Sequence, residues 1–483
     1  MYSQRGTCFL VLIMKQLGVL LLMGAAFPRL SAQTPVAAPE RVFIDTILIE
    51  GNRKTRDALI LRELDFQRGD SLPMAALGAA LERNSLRLMN LGIFSQAKIN
   101  VAQWQDGNHL RLRIELVEGW YLYPVPIFSL ADRNFNVWWH EFHRSLKRVN
   151  YGVDFTQLNF TGRADALKIN AQFGYANRYE INYRCPGINR KQTLGLQTGV
   201  SYTRTHEVAL RTEDNKIVFR TNPDAWNIRR TFAWLGFTWR PHLLTGHNFT
   251  LEYRDNRAAD SIATLLNPDF FGDGATRQRH FSLAYTLEHD RRNIRPYPTD
   301  GWYVYNELRI NGLLPSDDLH LLRLKSEYGR YFPLTRTLSL ETIGKIRVSW
   351  PRSRPPYYNN QALGYGGDYV RGYEYYVADG LDFFLLRTSW HWEFFNREFN
   401  FGRYMPVQAF RVLPLKLYFA LNGDLGYAND PWYAADNPLS NRWLSGYGFG
   451  LDVILYYNKS IRLEWTWNHL GEGGFYLRIN TGI

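Results

Sequence analysis

Gly364-Tyr365-Gly366-Gly367-Asp368-Tyr369-Val370-Arg371-Gly372-Tyr373 lies inside a Pro- and Tyr-rich interval, residues 351–380, and the runs on either side of it read as β-strands. Taken alone, an arginine set between glycines reads as an exposed turn. The flanks change that reading. They resemble the strands of a membrane barrel, and a loop that folds back into a polar lumen can bury an arginine against a carboxylate.

Working outward, helical periodicity is missing from Trp120 onward. Short alternating runs recur instead. Leu283, Tyr285 and Leu287 alternate with Ser282, Ala284 and Thr286. Phe449, Leu451, Val453 and Leu455 alternate with Gly448, Gly450, Asp452 and Ile454. Phe475, Leu477, Ile479 and Ile483 alternate with Tyr476, Arg478, Asn480 and Gly482. Sixteen such runs begin near residues 121, 150, 165, 178, 192, 228, 247, 277, 301, 319, 336, 380, 413, 442, 459 and 474. An even count suits a closed antiparallel barrel. The connections alternate as well. With the first run directed outward, the odd-numbered connections include the long ones, residues 131–149, 206–227, 257–276, 351–379 and 427–441. Several even-numbered ones are tight turns, such as Thr161-Gly162-Arg163, Pro333-Leu334-Thr335 and Tyr457-Asn458-Lys459. Long outer loops over short periplasmic turns are the asymmetry of a transmembrane barrel. The turn at 396–412 is too long for this pattern.

The bulk numbers agree. The chain has 483 residues and is 15% aromatic, with 30 Tyr, 29 Phe and 15 Trp. Mean hydropathy is only −0.34. Past the N-terminus no apolar run approaches the ~20 residues a spanning helix needs. That leaves an all-β soluble protein or a membrane barrel. The net charge of +12 is scattered along strands and turns, which argues against a nucleic-acid partner and for lumen lining or contact with anionic lipid head groups. Of the two cysteines, Cys8 and Cys185, the first lies in the targeting region, and no metal-binding spacing is present.

The N-terminus reads as an address. Met14-Lys15-Gln16 precedes an apolar run from Leu17 to Phe27, and Leu30-Ser31-Ala32-Gln33 follows as a small-residue cleavage zone. This gives a signal peptide over 1–33, with a start at Met14 fitting better than one at Met1, and a flexible lead-in over 34–40. Residues 41–119 then read β-α-α-β-β. Val42 to Glu50 is a strand, Arg56 to Leu64 a short helix, and Gly69-Asp70 a break. A longer helix begins near Pro73 and carries Leu77, Leu81, Leu88 and Leu91 on one face. Ile99 and Val101 belong to a second strand. In the third, Leu110, Leu112, Ile114 and Leu116 alternate with Arg111, Arg113 and Glu115.

This order, with Gly51-Asn52, Gly69-Asp70 and Leu91-Gly92-Ile93-Phe94 in their places, resembles a POTRA domain. The resemblance implies a periplasmic module that docks partners or clients by strand addition. In the barrel region, residues 120–483, Val370-Arg371-Gly372-Tyr373 after Gly366-Gly367 is similar to the loop-six signature of the BamA/TamA superfamily of outer-membrane assembly and translocation barrels. Asp290-Arg291-Arg292-Asn293, followed by Pro296, Pro298 and Gly301, resembles that family's pattern at a periplasmic turn. Asp424-Leu425-Gly426 on strand thirteen resembles its Asp-x-Gly, although Asn422 stands where the family has Phe or Gly. The resemblance implies that Arg371 folds into the lumen and pairs with Asp424. Parity agrees, because Phe419, Leu421 and Leu425 face lipid when Ala420, Asn422 and Asp424 face the lumen.

A second expectation concerns the seam between the first and last strands. Pro124 and Pro126 remove ladder donors from strand one, and Gly482 weakens the end of the last strand. A weak seam can open sideways and template an incoming strand. The alternative is that the prolines only mark the linker from the POTRA module. Enzyme signatures are absent: Gly199-Val200-Ser201-Tyr202-Thr203 lacks the final glycine of a nucleophile elbow, and His140-Glu141-Phe142-His143 lacks zinc-protease spacing. The expectation is therefore a sixteen-stranded transmembrane β-barrel with one α+β POTRA domain. It sits in the bacterial outer membrane with the POTRA domain in the periplasm. It inserts or assembles outer-membrane proteins and needs no cofactor. Its partners are unfolded outer-membrane protein clients, accessory periplasmic or lipoprotein subunits, and outer-membrane lipids. The alternative is a translocation pore that exports a dedicated substrate, as two-partner secretion transporters do.

Overall fold

The computed structural model describes residues 40–480 except 106, 131–142 and 457–458. The expected signal peptide, the lead-in as far as Pro39, Cys8, most of the first outer loop, Gly482 and Ile483 lie outside the described residues.

The N-terminal module is a four-stranded sheet under two helices. Its elements are β1 (Arg41–Glu50), α1 (Asp57–Arg62), β2 (Ser71–Pro73), α2 (Leu77–Met89), β3 (Phe94–Gln105) and β4 (His109–Glu118). The sheet order is β2-β1-β4-β3, with β1 parallel to β4 and the other pairs antiparallel. Alternation along β4 buries Leu110, Leu112, Ile114 and Leu116 against Val42, Ile44, Leu59, Ile60 and Leu88. Pro73 differs from expectation. It ends β2, which pairs with Arg41–Phe43, and a 3₁₀ turn over Met74–Ala76 intervenes before α2 begins at Leu77. A three-residue strand is too short to leave a periodic signal.

The rest is one antiparallel sheet of 16 strands. Its first five members are β5 (Leu122–Leu130), β6 (Val149–Leu158), β7 (Ala166–Gly174), β8 (Ala176–Cys185) and β9 (Leu194–Thr205). A separate hairpin, β10 (Glu207–Glu213) and β11 (Lys216–Thr221), interrupts them. The wall continues with β12 (Ile228–His242), β13 (Thr245–Ala258), β14 (Arg277–Asp290), β15 (Gly301–Asn311), β16 (Leu321–Pro333) and β17 (Leu338–Trp350). Loop six follows and contains the short pair β18 (Gln361–Leu363) and β19 (Ala378–Asp379). The last five strands are β20 (Asp382–Asn400), β21 (Val412–Asn429), β22 (Trp443–Leu455), β23 (Lys459–Asn468) and β24 (Gly473–Asn480). Each wall strand pairs with the next in sequence from β5 to β24.

Period-two alternation builds this wall. Phe249, Leu251, Leu283, Leu308 and Ile310 point outward and are exposed. Ser282, Glu252, Asn256 and His280 point inward and are buried. The outer connections pack into a lid with its own apolar core. Val208 and Leu210 of β10 meet Ile262, Ala263, Phe270, Phe271 and Tyr357. The turn expected at 396–412 is shorter, because β20 stays paired with β21 as far as Asn400, and the remaining residues 401–411 are filled by two 3₁₀ turns, Gly402–Tyr404 and Gln408–Phe410.

The POTRA-like module is bound to the opposite end of the barrel. Arg56 donates its backbone N–H to Gly162 O at 2.9 Å, and Asn159 Nδ2 donates to Thr55 Oγ1 at 2.9 Å. Arg240 at the end of β12 grips the buried Glu63 carboxylate with two bonds of 2.6 and 2.9 Å. Asn90, just past α2, exchanges bonds with the turn 291–300: its Nδ2 donates to Asn293 O at 3.1 Å and its Oδ1 accepts from Arg295 N at 3.0 Å.

Candidate functional site

Loop six runs through the lumen as a strap anchored to three parts of the wall. Asp368 is held by Lys325 of β16 at 2.7 Å and by Lys345 of β17 at 3.4 Å. Three residues later, Arg371 meets Asp424 of β21. Its Nη2 donates to Oδ1 at 2.5 Å, its Nε to Oδ2 at 2.9 Å, and its backbone N–H to Oδ2 at 3.0 Å. Nη1 donates to Ser389 Oγ on β20 at 3.0 Å and lies 3.7 Å from Glu464 on β23. Both members of the pair are buried. The planar guanidinium suits this place because it presents a fork that matches a carboxylate. Arg387 of β20 adds a second cation 3.7 Å from Asp424. Glu374 makes the third anchor, 2.6 Å from Arg478 of β24.

Glycines let the strap approach the wall. A Cβ on Gly446 would sit 1.8 Å from Arg371 O, and one on Gly426 would sit 2.4 Å from a Val370 methyl. Gly372 has φ +89° and its Cα faces the Trp467 backbone, where a Cβ would lie 2.7 Å away. Only glycine meets both demands. Val370 inserts into an apolar cluster with Leu363, Phe383, Leu385, Ala428 and Leu444. Tyr373 OH bonds His469 Nδ1. Gly366 has φ +61°, and Gly366 and Gly367 form the open turn before these contacts.

The periplasmic turn 291–300 is a second insertion. Asp290 is buried and clasped by Arg292, whose Nε and Nη2 donate at 2.9 and 2.8 Å. Arg291, the neighbouring arginine, instead gives its backbone N–H to Trp302 O at 2.8 Å. Gly301 opens β15, and Pro298 lines a 240 Å³ lumen cavity shared by the turn, Tyr369 and Arg371. Between Pro296 and Pro298, Tyr297 reaches across the lumen. Its OH donates to Asp452 Oδ2 at 2.8 Å, lies 2.7 Å from His391 Nδ1, and its ring meets Tyr418 at 4.6 Å. Tyr297, Glu374, Ser389, Arg387, Glu464 and Gly446 were not singled out from sequence. For Gly446 a signal exists, because Gly446, Gly448 and Gly450 repeat at period two on the lumen face of β22.

At the sheet ends, β5 and β24 have no ladder between them among the described residues. Leu158 donates its N–H to Tyr121 O at 2.7 Å, and the β5–β6 register is regular. Odd residues of β5 therefore bond to β6, and even residues present their backbone groups to the seam. Pro124 and Pro126 are both even. Their missing donors face the seam.

The Omp85 superfamily domain matches residues 159–382, and the POTRA family, described as a surface antigen variable number repeat, matches residues 42–119. The chain carries an Omp85 superfamily domain behind a POTRA domain. As such it is an outer-membrane barrel with its POTRA module in the periplasm. One stretch of 108 residues is 31% identical to an outer membrane protein assembly factor BamA of Nitratidesulfovibrio vulgaris, covering 20% of this chain and 13% of that relative. Among solved structures, BamA from Haemophilus ducreyi lacking POTRA domains 1–3 has TM-score 0.49 at 14% identity, over 90% of this chain and 83% of that one. CdiB from Acinetobacter baumannii has TM-score 0.49 at 14% identity, over 91% and 74%.

Proposed function

We propose that this Omp85 barrel inserts outer-membrane proteins, with the POTRA module docking clients or accessory subunits and the β5–β24 seam templating the incoming strand. The observation that carries the reading is the seam edge of β5, where Pro124 and Pro126 withhold two ladder donors. An edge that pairs poorly with its own partner exchanges that partner for a client strand at low cost. The remaining edge carbonyls still accept bonds, so a client can be aligned and zipped into the wall without an external energy source. Burial of the client's apolar face in lipid then drives release.

Two features support insertion over export of a dedicated substrate. The outer loops pack into an apolar lid around Phe270 and Tyr357. Tyr297 and the loop-six strap cross the lumen on the route an exported chain would take. The test is conditional depletion in the native host, followed by quantitative proteomics of outer-membrane and secreted fractions. Loss of many barrel proteins is the expected outcome. Loss of one secreted protein from an otherwise unchanged membrane would establish the export reading instead.

A further inference from the structure

The terminal strand β24 carries a single charged residue, Arg478, in the sequence Gly473-Gly474-Phe475-Tyr476-Leu477-Arg478-Ile479-Asn480. Its lumen-side partners belong chiefly to loop six. Nη2 donates to Glu374 Oε1 at 2.6 Å, and the guanidinium lies over the Tyr369 ring at 4.4 Å. Nε is 2.7 Å from Glu464 on the adjacent β23. The second Glu374 oxygen accepts the Gly372 backbone N–H at 2.8 Å, so the carboxylate is aimed by the same glycine that follows Arg371. Loop six also grips the outer tip of the β23–β24 hairpin. Asn468 Nδ2 donates to Gly372 O at 3.0 Å, Tyr376 OH donates to Glu472 at 2.8 Å, and Tyr375 meets Tyr476 ring to ring at 5.8 Å.

The charges alternate along this line: Asp424, Arg371, Glu464, Arg478, Glu374. One end is fixed in the wall at β21. The other holds the strand that borders the seam. Since β24 has a ladder on one side only among the described residues, each contact from the strap adds to what keeps it in place. We infer that Glu374 is a positioning residue that clasps Arg478, so that loop six sets how readily the terminal strand leaves the seam. This rests on the insertion reading for its purpose, but the contact is testable without a client.

The measurement is a distance across the seam. Phe128 on β5 and Phe475 on β24 are exposed and accept spin labels as cysteines, in a background with Cys8 and Cys185 replaced by serine. The protein is reconstituted in phospholipid nanodiscs and read by double electron–electron resonance. Glu374→Gln and Arg478→Gln are each expected to increase the long-distance fraction several-fold. A control pair at Leu235 and Leu324, in the far wall, should not change. An unchanged seam distance in both variants, or equal broadening at the control pair, overturns the clasp. If Glu374→Gln fails to reach the heat-modifiable fold, Arg478→Lys, which keeps the charge and loses the fork, is read by the same criteria. Failure of the insertion reading has a separate signature: full client insertion after a bismaleimide has locked the two seam cysteines together.

Discussion

At the scale of single residues, the lumen is held by a few buried charges whose removal leaves a partner stranded. Breaking one side of a buried ion pair typically costs ~3–5 kcal/mol, most of it from the uncompensated charge left behind. Arg371→Ala and Asp424→Ala should each destabilise the barrel on this scale, and the double variant should cost little more than either single one. The fraction of heat-modifiable barrel across a denaturant series measures all three; strictly additive losses would exclude the pairing. Gly446→Ala adds no charge but puts a Cβ where Arg371 O now lies. It should displace loop six, and limited proteolysis within 364–376 should become faster, whereas Gly423→Ala on the lipid side should be silent. Arg371 and Asp424 could be singled out because the family resemblance implies their pairing and strand parity agrees with it. Glu374 and Arg478 could not. They lie 104 positions apart, and no local pattern says which of many lumen charges they meet.

At the scale of elements, the junction between module and barrel depends on the ends of helices and turns. Glu63 is 4% exposed and is gripped by Arg240 from the wall, with Arg62 3.8 Å away as a weaker second cation. Arg240→Ala should loosen the module, seen as faster cleavage near residues 119–122 with the barrel still heat-modifiable. Within the module, burial works against the Asp65 carboxylate, but hydrogen bonds from Arg83 and Asn84 and the charge of Arg87 hold its pKa below the usual 3.8. A depressed carboxylate contributes stability that is present above its unfolded pKa and is lost as pH falls through the folded value. The module should therefore lose stability below about pH 4. Asp65→Asn should flatten that slope, as hydrogen exchange of α2 at graded pH can show. The wall strands were legible because lipid on one face and lumen on the other impose a period of two on every strand. The strand β2 was not, since three residues hold too little pattern. The insertion of Tyr297 was not legible either, because a turn between prolines reads the same whether it points into water or into a lumen.

At the scale of the whole molecule, the seam is where stability and activity should trade against each other. Pro124→Val with Pro126→Val restores two N–H groups to the seam edge of β5. The barrel should resist heat better while insertion of client barrels falls. Both changes are measurable in proteoliposomes, and a gain in stability with unchanged insertion would detach the prolines from function. The sequence by itself determined the barrel, its strand count, the sidedness of its loops and every element of the POTRA module except β2, because these follow from alternation, turn residues and connection length, all of which are local. Only the tertiary structure decided that loop six is a strap with three anchors, that a periplasmic turn enters the lumen, and that the prolines of β5 face the seam rather than β6. Those outcomes depend on register and on charges from distant strands meeting in one low-dielectric interior, where a buried guanidinium must find a carboxylate or, as Arg323 and Arg347 do, backbone carbonyls, and that matching exists only once the wall has assembled.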